Sequence, residues 1–211
     1  MNLETSPEKI YNISIEALKE KDILCFVTLV WDSFPEKMMP LFSNNRQAGI
    51  EILAREARNS LQSGAYFVAK AKEMVVGAAL FKTVEIARKS RPREPGLYFK
   101  KLGFFKGLKA LAIISFENLF RVRKKEFCID ILAVKQGFRG KGIGKKLLAF
   151  AENYARKEGK AYLELGVVEK NKPALNLYYG FGFEKSRQYS MWISEKISGY
   201  RVWYIMKKKI Q

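Results

Sequence analysis

The sequence predicts an α/β fold in which helices pack on a sheet, and three observations support this. Several long segments carry apolar residues at helical spacing, and shorter apolar runs between them, bounded by turn residues, indicate strands. One of these strands, at residues 129–134, runs through a glycine-rich turn into a helix. The chain has 211 residues, of which 48% are hydrophobic and 28% charged. We therefore expect one domain over residues 1–211, with an insertion at about 83–125.

The first third of the chain predicts a strand, two helices and a hairpin. The segments are a strand at 10–18, a helix at 21–34, a helix with apolar positions at 50–61, and a hairpin with strands at 65–69 and 74–84. Pro35 is expected to end the first helix, and Gly64 follows the end of the second. The polar residues 70–73 are expected to form the hairpin turn.

The insertion begins with residues 87–96, where basic residues and two prolines predict an exposed loop. Residues 97–120 are rich in Phe and Leu with interleaved lysines, which predicts one or two partly amphipathic helices. Three roles are compatible with them: packing on the domain, a lid over a substrate site, or a basic surface for membrane lipid. A strand at 126–134 follows.

The last third predicts a helix, a strand, a short helix and a terminal hairpin. The helix that follows the glycine-rich turn ends at Gly159 and has an apolar face, formed by Ile143, Leu147, Leu148, Ala151, Tyr154 and Ala155. A strand is expected at 161–168. Asn171 as a cap and Pro173 in the first turn predict the short helix. The hairpin is expected from 184–193 and 200–210.

Charge and composition limit the functions to consider. Lysines and arginines number 39 against 21 acidic residues, a net charge of +18. Such an excess favours anionic partners such as a polyphosphate cofactor, nucleic acid, a ribosomal surface or an acidic membrane, without choosing between them. Polycationic substrates are disfavoured unless their site is locally acidic. The chain has no histidine, which excludes Ser-His and Cys-His triads.

The two cysteines and the length of the apolar runs indicate where in the cell the protein is located. Cys25 and Cys128 both lie in apolar runs, so we expect buried thiols, and they offer no metal site. The N-terminal residues show no signal-peptide pattern. The longest apolar run, at residues 110–116, is far shorter than the roughly 20 residues that span a bilayer. We expect a soluble, cytoplasmic protein.

The glycine-rich turn carries the chemistry of a phosphate site. Gly140, Gly142 and Gly144 alternate with Lys141 and Ile143 directly before a helix. The first amides of a helix have no intrahelical partner and carry partial positive charge, and glycine lets an anion approach them closely. The turn fits neither the P-loop pattern nor the G-x-G-x-x-G dinucleotide pattern.

Two motifs in order identify a resemblance. Residues 139–144, RGKGIG, match [Q/R]-x-x-G-x-[G/A], and residues 171–183 match N-x-x-A-x-x-L-Y-x-x-x-G-F. With these motifs the chain resembles the GCN5-related N-acetyltransferase (GNAT) family. The resemblance implies a mixed, mostly antiparallel sheet with helices on both faces. It also implies transfer of the acetyl group of acetyl-coenzyme A (acetyl-CoA) to a primary amine. The helical insertion expected before the cofactor-binding strand departs from the simplest pattern of the family.

The resemblance also implies which residues bind the cofactor. Backbone amides of the turn would bind the pyrophosphate, and the preceding strand, which splays from its neighbour, would bind the pantetheine arm. The implied residues are Leu132, Ala133, Val134, Arg139, Gly140, Lys141, Gly142, Ile143, Gly144, Lys145, Asn171 and Tyr178.

The reaction needs a neutral amine, a polarised carbonyl and a proton for the departing sulfur. Tyr178 is the candidate acid, because a phenol can protonate a thiolate; otherwise it is a core aromatic residue. The amide near Val134 is a candidate to polarise the carbonyl. Two carboxylates are candidate bases: Asp130, placed by period two on the strand face of Leu132 and Val134, and Glu164 on the adjacent strand. Simple pairing with lysines is the competing interpretation of both.

A second class of function stays open. The fold could serve as a module that senses coenzyme A or docks on RNA or a ribosome without turnover. Nucleic-acid binding and membrane association are disfavoured as main roles. The sequence determines neither the acceptor nor the oligomeric state.

Overall fold

A computed structural model describes residues 12–89, 94–118, 123–190 and 201–211. Its strands form one sheet of seven, in the order β1-β2-β3-β4-β5-β7-β6. Every neighbouring pair is antiparallel except β4 and β5, which are parallel. The strands are β1 (Ile13–Ala17), β2 (Tyr66–Ala71), β3 (Met74–Lys82), β4 (Glu126–Val134), β5 (Tyr162–Val168), β6 (Glu184–Ser190) and β7 (Val202–Lys209). The expected mixed, mostly antiparallel sheet is confirmed.

Helices cover both faces of this sheet, as expected. The α-helices are α1 (Ile23–Ser33), α2 (Pro35–Leu41), α3 (Arg46–Asn59), α4 (Val84–Lys89), α5 (Pro95–Leu102), α6 (Phe104–Asn118), α7 (Ile143–Lys157) and α8 (Lys172–Gly180). Residues of α4, α7 and α8 pack into one apolar cluster, and residues of α1, α2, α3, α5 and α6 into another. Strand side chains alternate between the two clusters, as where Phe67 and Ala69 join the first and Val68 the second.

The first helix ends before Pro35, as predicted, and Pro35 itself begins the additional helix α2, because proline is well tolerated at the first helical position. Two local predictions were wrong. The loop expected at 87–96 is partly helical, since α4 extends to residue 89 and α5 starts at Pro95. The turn expected at 70–73 begins two residues later, at Lys72. Parts of the predicted segments at 10–11, 90–93, 119–120, 191–193 and 200 lie outside the described residues.

Lys70 explains why the hairpin turn was misplaced. This lysine lies in β2 with only 3% of its surface exposed. Its ammonium group contacts carboxylate oxygens of Asp22 and Glu16, each at 2.7 Å. These two hydrogen bonds raise the pKa of Lys70 and offset the cost of burying its charge. Because lysine is polar, the sequence pattern placed Lys70 in the turn, although it belongs to strand β2.

The cysteine prediction needs one correction. Cys25, on α1, is exposed, because it lies on the helix face that points away from the sheet. Cys128, on β4, is better enclosed, and burial raises the pKa of its thiol.

The helices between β3 and β4 form the expected insertion. Helix α5 lies against α3, where Glu94 accepts hydrogen bonds from Asn59 at 2.6 Å and Arg55 at 3.4 Å. Lys101 forms a further ion pair with Glu51. Phe104 and Phe105, at the start of α6, are exposed to solvent. No helix within the four described ranges combines the length and apolarity needed to cross a membrane.

Candidate active site

The glycine-rich turn is open and ends at the N-terminus of α7. Gly140 and Gly142 have φ angles of +77° and +74°, in the left-handed region that favours glycine. Among the described residues, no atom lies within 4 Å of where a Cβ atom would stand at either position, so the space beside these two glycines is open. Gly142 is the N-cap residue of α7 and has no side chain to cap the helix.

Backbone donors of the turn point to an anion site. The amides of Gly140, Gly142, Ile143, Gly144 and Lys145 donate no hydrogen bond to any other residue in the described part of the chain. The first intrahelical bond runs from the Lys146 amide to the Gly142 carbonyl, at 3.0 Å. Unpaired amides at a helix start combine with the helix dipole to attract negative charge.

The third glycine serves packing rather than access. A Cβ atom at Gly144 would lie 2.9 Å from Cδ2 of Leu177, on α8. Glycine therefore lets the start of α7 approach α8 closely. The two motifs of the sequence meet at this contact, since Gly144 belongs to the first and Leu177 to the second.

Strands β4 and β5 separate beside the turn. Their parallel pairing ends at Ile129 and Leu165, although β4 continues to Val134 and β5 to Val168. Beyond Ile129, β4 pairs along one edge with β3. The predicted cofactor residues Leu132, Ala133 and Val134 thus lie on a strand whose other edge has lost its partner. Nε of Arg139 donates to the Val134 carbonyl at 3.0 Å and holds the turn against this strand.

Two residues of the second motif lie on α8. The side-chain oxygen of Asn171 caps this helix by accepting from the Ala174 amide at 3.2 Å. Tyr178 is 8% exposed and packs its ring against Phe183 in the cluster beneath α7 and α8. Burial raises the pKa of Tyr178 to about 12, so the phenol keeps its proton at neutral pH.

The predicted orientation of Asp130 was wrong because β4 contains a bulge. Leu80 pairs with Ile131 and Phe81 with Ile129, so Asp130 is an extra residue in β4. The bulge breaks the period-two alternation. Leu132 packs in the cluster beneath α7, whereas Asp130 lines a cavity on the opposite side of the sheet.

That cavity has a volume of about 100 Å³ and lies beside the bulge. Its walls come from β2, β3, β4, α1, α2, α3, α5 and α6, and they are mostly apolar or aromatic. Four charged residues line it: Lys37, Glu56, Lys82 and Asp130. Lys82 and Asp130 form an ion pair at 2.9 Å. Sequence reasoning missed Glu56, Lys82 and Lys37, because elements far apart in the chain bring them together.

Glu164, the second candidate base, does not lie at the cavity with Asp130 but pairs with basic residues of β6 and β7. Its carboxylate pairs with Arg187 at 3.2 Å and Lys207 at 3.5 Å. It is not among the described residues that line the cavity. Of the three predicted catalytic residues, Asp130 lines the cavity and Tyr178 lies in the cluster on the other face.

Comparison with known proteins identifies the class that this fold and site define. A sequence model of the acetyltransferase (GNAT) family matches residues 26–183. This match covers most of the chain, so the protein belongs to the GNAT family of acetyltransferases. The matched range contains α7, α8 and the strands β2 to β5.

Curated relatives match in shorter stretches. An uncharacterized N-acetyltransferase of Methanocaldococcus jannaschii is 37% identical over 73 residues, which are 34% of this chain and 32% of that protein. Streptothricin acetyltransferase of Streptomyces lavendulae is 42% identical over 55 residues, 26% of this chain and 29% of that protein. The chain thus spans about a third of the length of these relatives.

Solved structures share the fold over most of the chain. A crystal structure of an acetyltransferase superposes with a TM-score of 0.65 at 24% identity, covering 94% of this chain and 100% of that one. The yncA protein of Salmonella typhimurium, whose structure contains its cofactor acetyl-CoA, gives a TM-score of 0.62 at 16% identity and covers 94% of each chain. At these identities the likeness establishes the fold.

Proposed function

We propose that this protein transfers the acetyl group of acetyl-CoA to a primary amine. The observation that carries the proposal is the open N-terminus of α7, next to a strand that has lost one partner. A diphosphate would suit this place, because unpaired amides and basic side chains meet at a turn that is open within the described part of the chain. Family membership supports acetyl transfer as the reaction.

Each part of the substrate has residues suited to it. The unpaired amides of Gly140 and of residues 142–145, with the side chains of Lys141 and Lys145, would hold the diphosphate; the Arg139 amide already donates to the Gln136 carbonyl at 3.2 Å. The edge of β4 that β5 no longer pairs would align the pantetheine arm by backbone hydrogen bonds at residues 132–134, apart from the Val134 carbonyl, which accepts from Arg139. Asn171 uses its side-chain oxygen as a cap and keeps an amide NH₂ group that can donate to the same substrate. When bound, acetyl-CoA supplies the activated acyl group.

The chemistry then needs three proton transfers. Asp130 would take a proton from the acceptor ammonium, directly or through water, which frees the nitrogen lone pair. The nitrogen bonds to the carbonyl carbon, a backbone amide near Val134 stabilises the oxygen, the carbon–sulfur bond breaks, and the nitrogen releases its second proton to water as it becomes the amide. Tyr178 would give its proton to the departing sulfur, since burial keeps the phenol protonated. Asp130 is a better candidate base than Glu164, because it lines the cavity.

Turnover distinguishes this proposal from a module that only binds coenzyme A or docks on RNA. We would mix the protein with acetyl-CoA and a panel of primary amines, then follow thiol release and the mass of the acetylated amine. We expect stoichiometric release with at least one amine. Tight acetyl-CoA binding with no release across the panel would favour the binding module.

We also propose that residues 1–211 form one domain. Residues of α5 and α6 pack in the same apolar cluster as α1 and α3, which supports an insertion built into the domain core rather than a separate unit.

A further inference from the structure

The cavity beside the bulge has a composition that limits what can enter it. Apart from four charged residues, its walls are apolar or aromatic, with Phe26, Tyr66, Tyr98 and Ile114 among them. The four charges are two lysines and two acids, so they balance, although the whole chain carries +18. A balanced, mostly apolar cavity disfavours ligands that bring several charges of one sign.

The position of the cavity connects it with the proposed acetyl donor. Asp130 and Ile131 line it, and the next residues of the same strand are those proposed to align the pantetheine arm. The pairing of β4 with β5 ends one residue before Asp130. An acyl group carried along β4 therefore meets the cavity where the strands separate.

The insertion closes part of this cavity. Tyr98, on α5, is 1% exposed, and its hydroxyl donates to Glu56 on α3 at 2.6 Å. Its ring also stacks on Phe42, with centroids 6.5 Å apart. Ile114, on α6, is buried against the same space. Side chains held this firmly set the shape of the wall.

We propose that the cavity binds the acceptor as a primary monoamine with a compact apolar group, and that α5 and α6 limit the size of this group. The inference rests on the proposed acetyltransferase function. A cavity of roughly 150 Å³ holds a benzene molecule, so one of about 100 Å³ suits a smaller group, about the size of a branched four-carbon side chain. Asp130, at the cavity wall, is paired with Lys82 at 2.9 Å, so the acceptor ammonium would share this carboxylate with the lysine.

A panel of four amines tests the inference on the unmodified protein. Isoamylamine carries one charge and a branched apolar group. The other three amines each change one of these properties: 1,4-diaminobutane has a second charge, ethanolamine has a hydroxyl in place of the apolar group, and spermidine is a polycation. We expect kcat/KM for isoamylamine to exceed each of the others at least about tenfold, because burial of apolar carbon favours it. A preference for any of the other three overturns the inference.

A variant pair locates the effect in the cavity. Ala57, on α3, lines the cavity, whereas Ala54, one helical turn earlier, does not. In A57L the added carbons fill the space, so kcat/KM for isoamylamine should fall about tenfold while that for ethylamine stays within about twofold. A54L should change neither. Equal losses for both amines in A57L would contradict the cavity assignment.

A substitution that enlarges the cavity, instead of filling it, keeps the test decisive if A57L folds poorly. I114A shortens a side chain in the wall formed by α6 and so enlarges the cavity. The larger amine phenethylamine should then gain kcat/KM relative to isoamylamine at least about fivefold. An unchanged ratio would overturn the proposed role of the insertion. Acetyl-CoA affinity, measured in parallel, separates the two proposals. Acetyl transfer with the wrong amine preference removes only this inference, whereas binding without any thiol release removes the proposed function as well.

Discussion

Helices α7 and α8 each follow one strand of the parallel pair, but their first turns are built differently. Asn171 caps α8 and satisfies the Ala174 amide with its own side chain. Gly142 stands at the same place before α7, offers no side chain, and leaves the amides of Ile143, Gly144 and Lys145 without a partner in the described part of the chain. One helix satisfies its own donors, and the other presents them at the surface.

The difference shows how a helix N-terminus becomes a binding site. Both helices have the same dipole direction, but Pro173, in the first turn of α8, has no N–H to donate. The Lys172 amide donates to the Lys170 carbonyl at 2.9 Å and Asn171 accepts from the Ala174 amide, so residues near the start of α8 already use its first donors. Asn45 caps α3 in the same way as Asn171 caps α8, by accepting from Ala48 at 3.0 Å. Helices α1, α2 and α5 also begin without a side-chain cap, so the start of α7 is distinguished by its glycine N-cap and by the basic residues Lys141 and Lys145 beside it.

The largest effect is expected when the open helix start is blocked. G142E adds a negative charge where we propose that a diphosphate binds, so affinity for coenzyme A should fall at least about 100-fold. G159E is the matched control: Gly159 also has a positive φ, +66°, and open space around it, but lies after the C-terminal end of α7. Calorimetry should show little change in G159E. Similar losses in both variants would mean that backbone strain, not the site, is responsible.

The next effect concerns the buried phenol on α8. Y178F should lower kcat by about 100-fold, the range typical of general acid catalysis, while acetyl-CoA affinity stays within about twofold. The adjacent Tyr179 is 50% exposed, so Y179F is a control that removes a hydroxyl from the same turn. Steady-state kinetics with calorimetry separates the two quantities. A normal kcat in Y178F would remove the assignment of Tyr178 as the acid.

The raised pKa of Tyr178 also predicts a pH profile. A folded-state pKa of about 12 lies above the ordinary value of 10. The phenol therefore keeps its proton as the pH rises through 10, and the acid is not lost there. We expect kcat to rise with pH as the acceptor amine loses its proton, without a falling limb between pH 8 and about 10. A falling limb in that range that disappears in Y178F would show an unperturbed phenol and contradict this prediction.

A smaller effect separates the two roles proposed for Asn171. N171A removes the cap and should lower the free energy of unfolding by about 1 kcal/mol. N171D keeps the capping oxygen but loses the amide NH₂ group, so it should retain stability and still weaken coenzyme A binding several-fold. Denaturant unfolding and calorimetry measure the two effects. Unchanged affinity in N171D would restrict Asn171 to the cap.

The smallest expected effect comes from single lysines at the two ends of α7. K145Q removes a charge from the first turn and should weaken coenzyme A binding about twofold to fivefold at low salt, with less effect at high salt. K157Q removes the charge of the last residue of the helix and should have no such effect. Equal changes would indicate a general effect of net charge on the anionic ligand.

The geometry of the turn and of the Asn171 cap, where we propose that the cofactor binds, could be predicted because these features are local. Gly140, Gly142 and Asn171 act through their own backbone geometry or that of the next turn, and the order of strand, turn and helix follows from residues adjacent in the sequence. The predicted fold class was confirmed for the same reason. Apolar periodicity is a local property of each element.

The cavity could not be predicted, because long-range packing creates it. Tyr98, Glu56 and Asp130 come from three elements, and no spacing in the sequence relates them. The bulge that turns Asp130 away from Leu132 depends on register with β3. The hairpin turn was wrongly predicted to include Lys70 for the same reason. Its buried charge is compensated by Asp22 and Glu16, which are distant in the sequence.

The most direct test of the account follows the amides of the two helix starts during titration with coenzyme A. In ¹H–¹⁵N spectra, we expect the resonances of Gly140, Gly142 and Gly144 to shift most strongly and to saturate with binding. The Ala174 amide, already bonded to Asn171, should shift far less. Saturable binding of coenzyme A that leaves the three glycine amides unmoved would contradict the proposal that the open start of α7 binds the diphosphate.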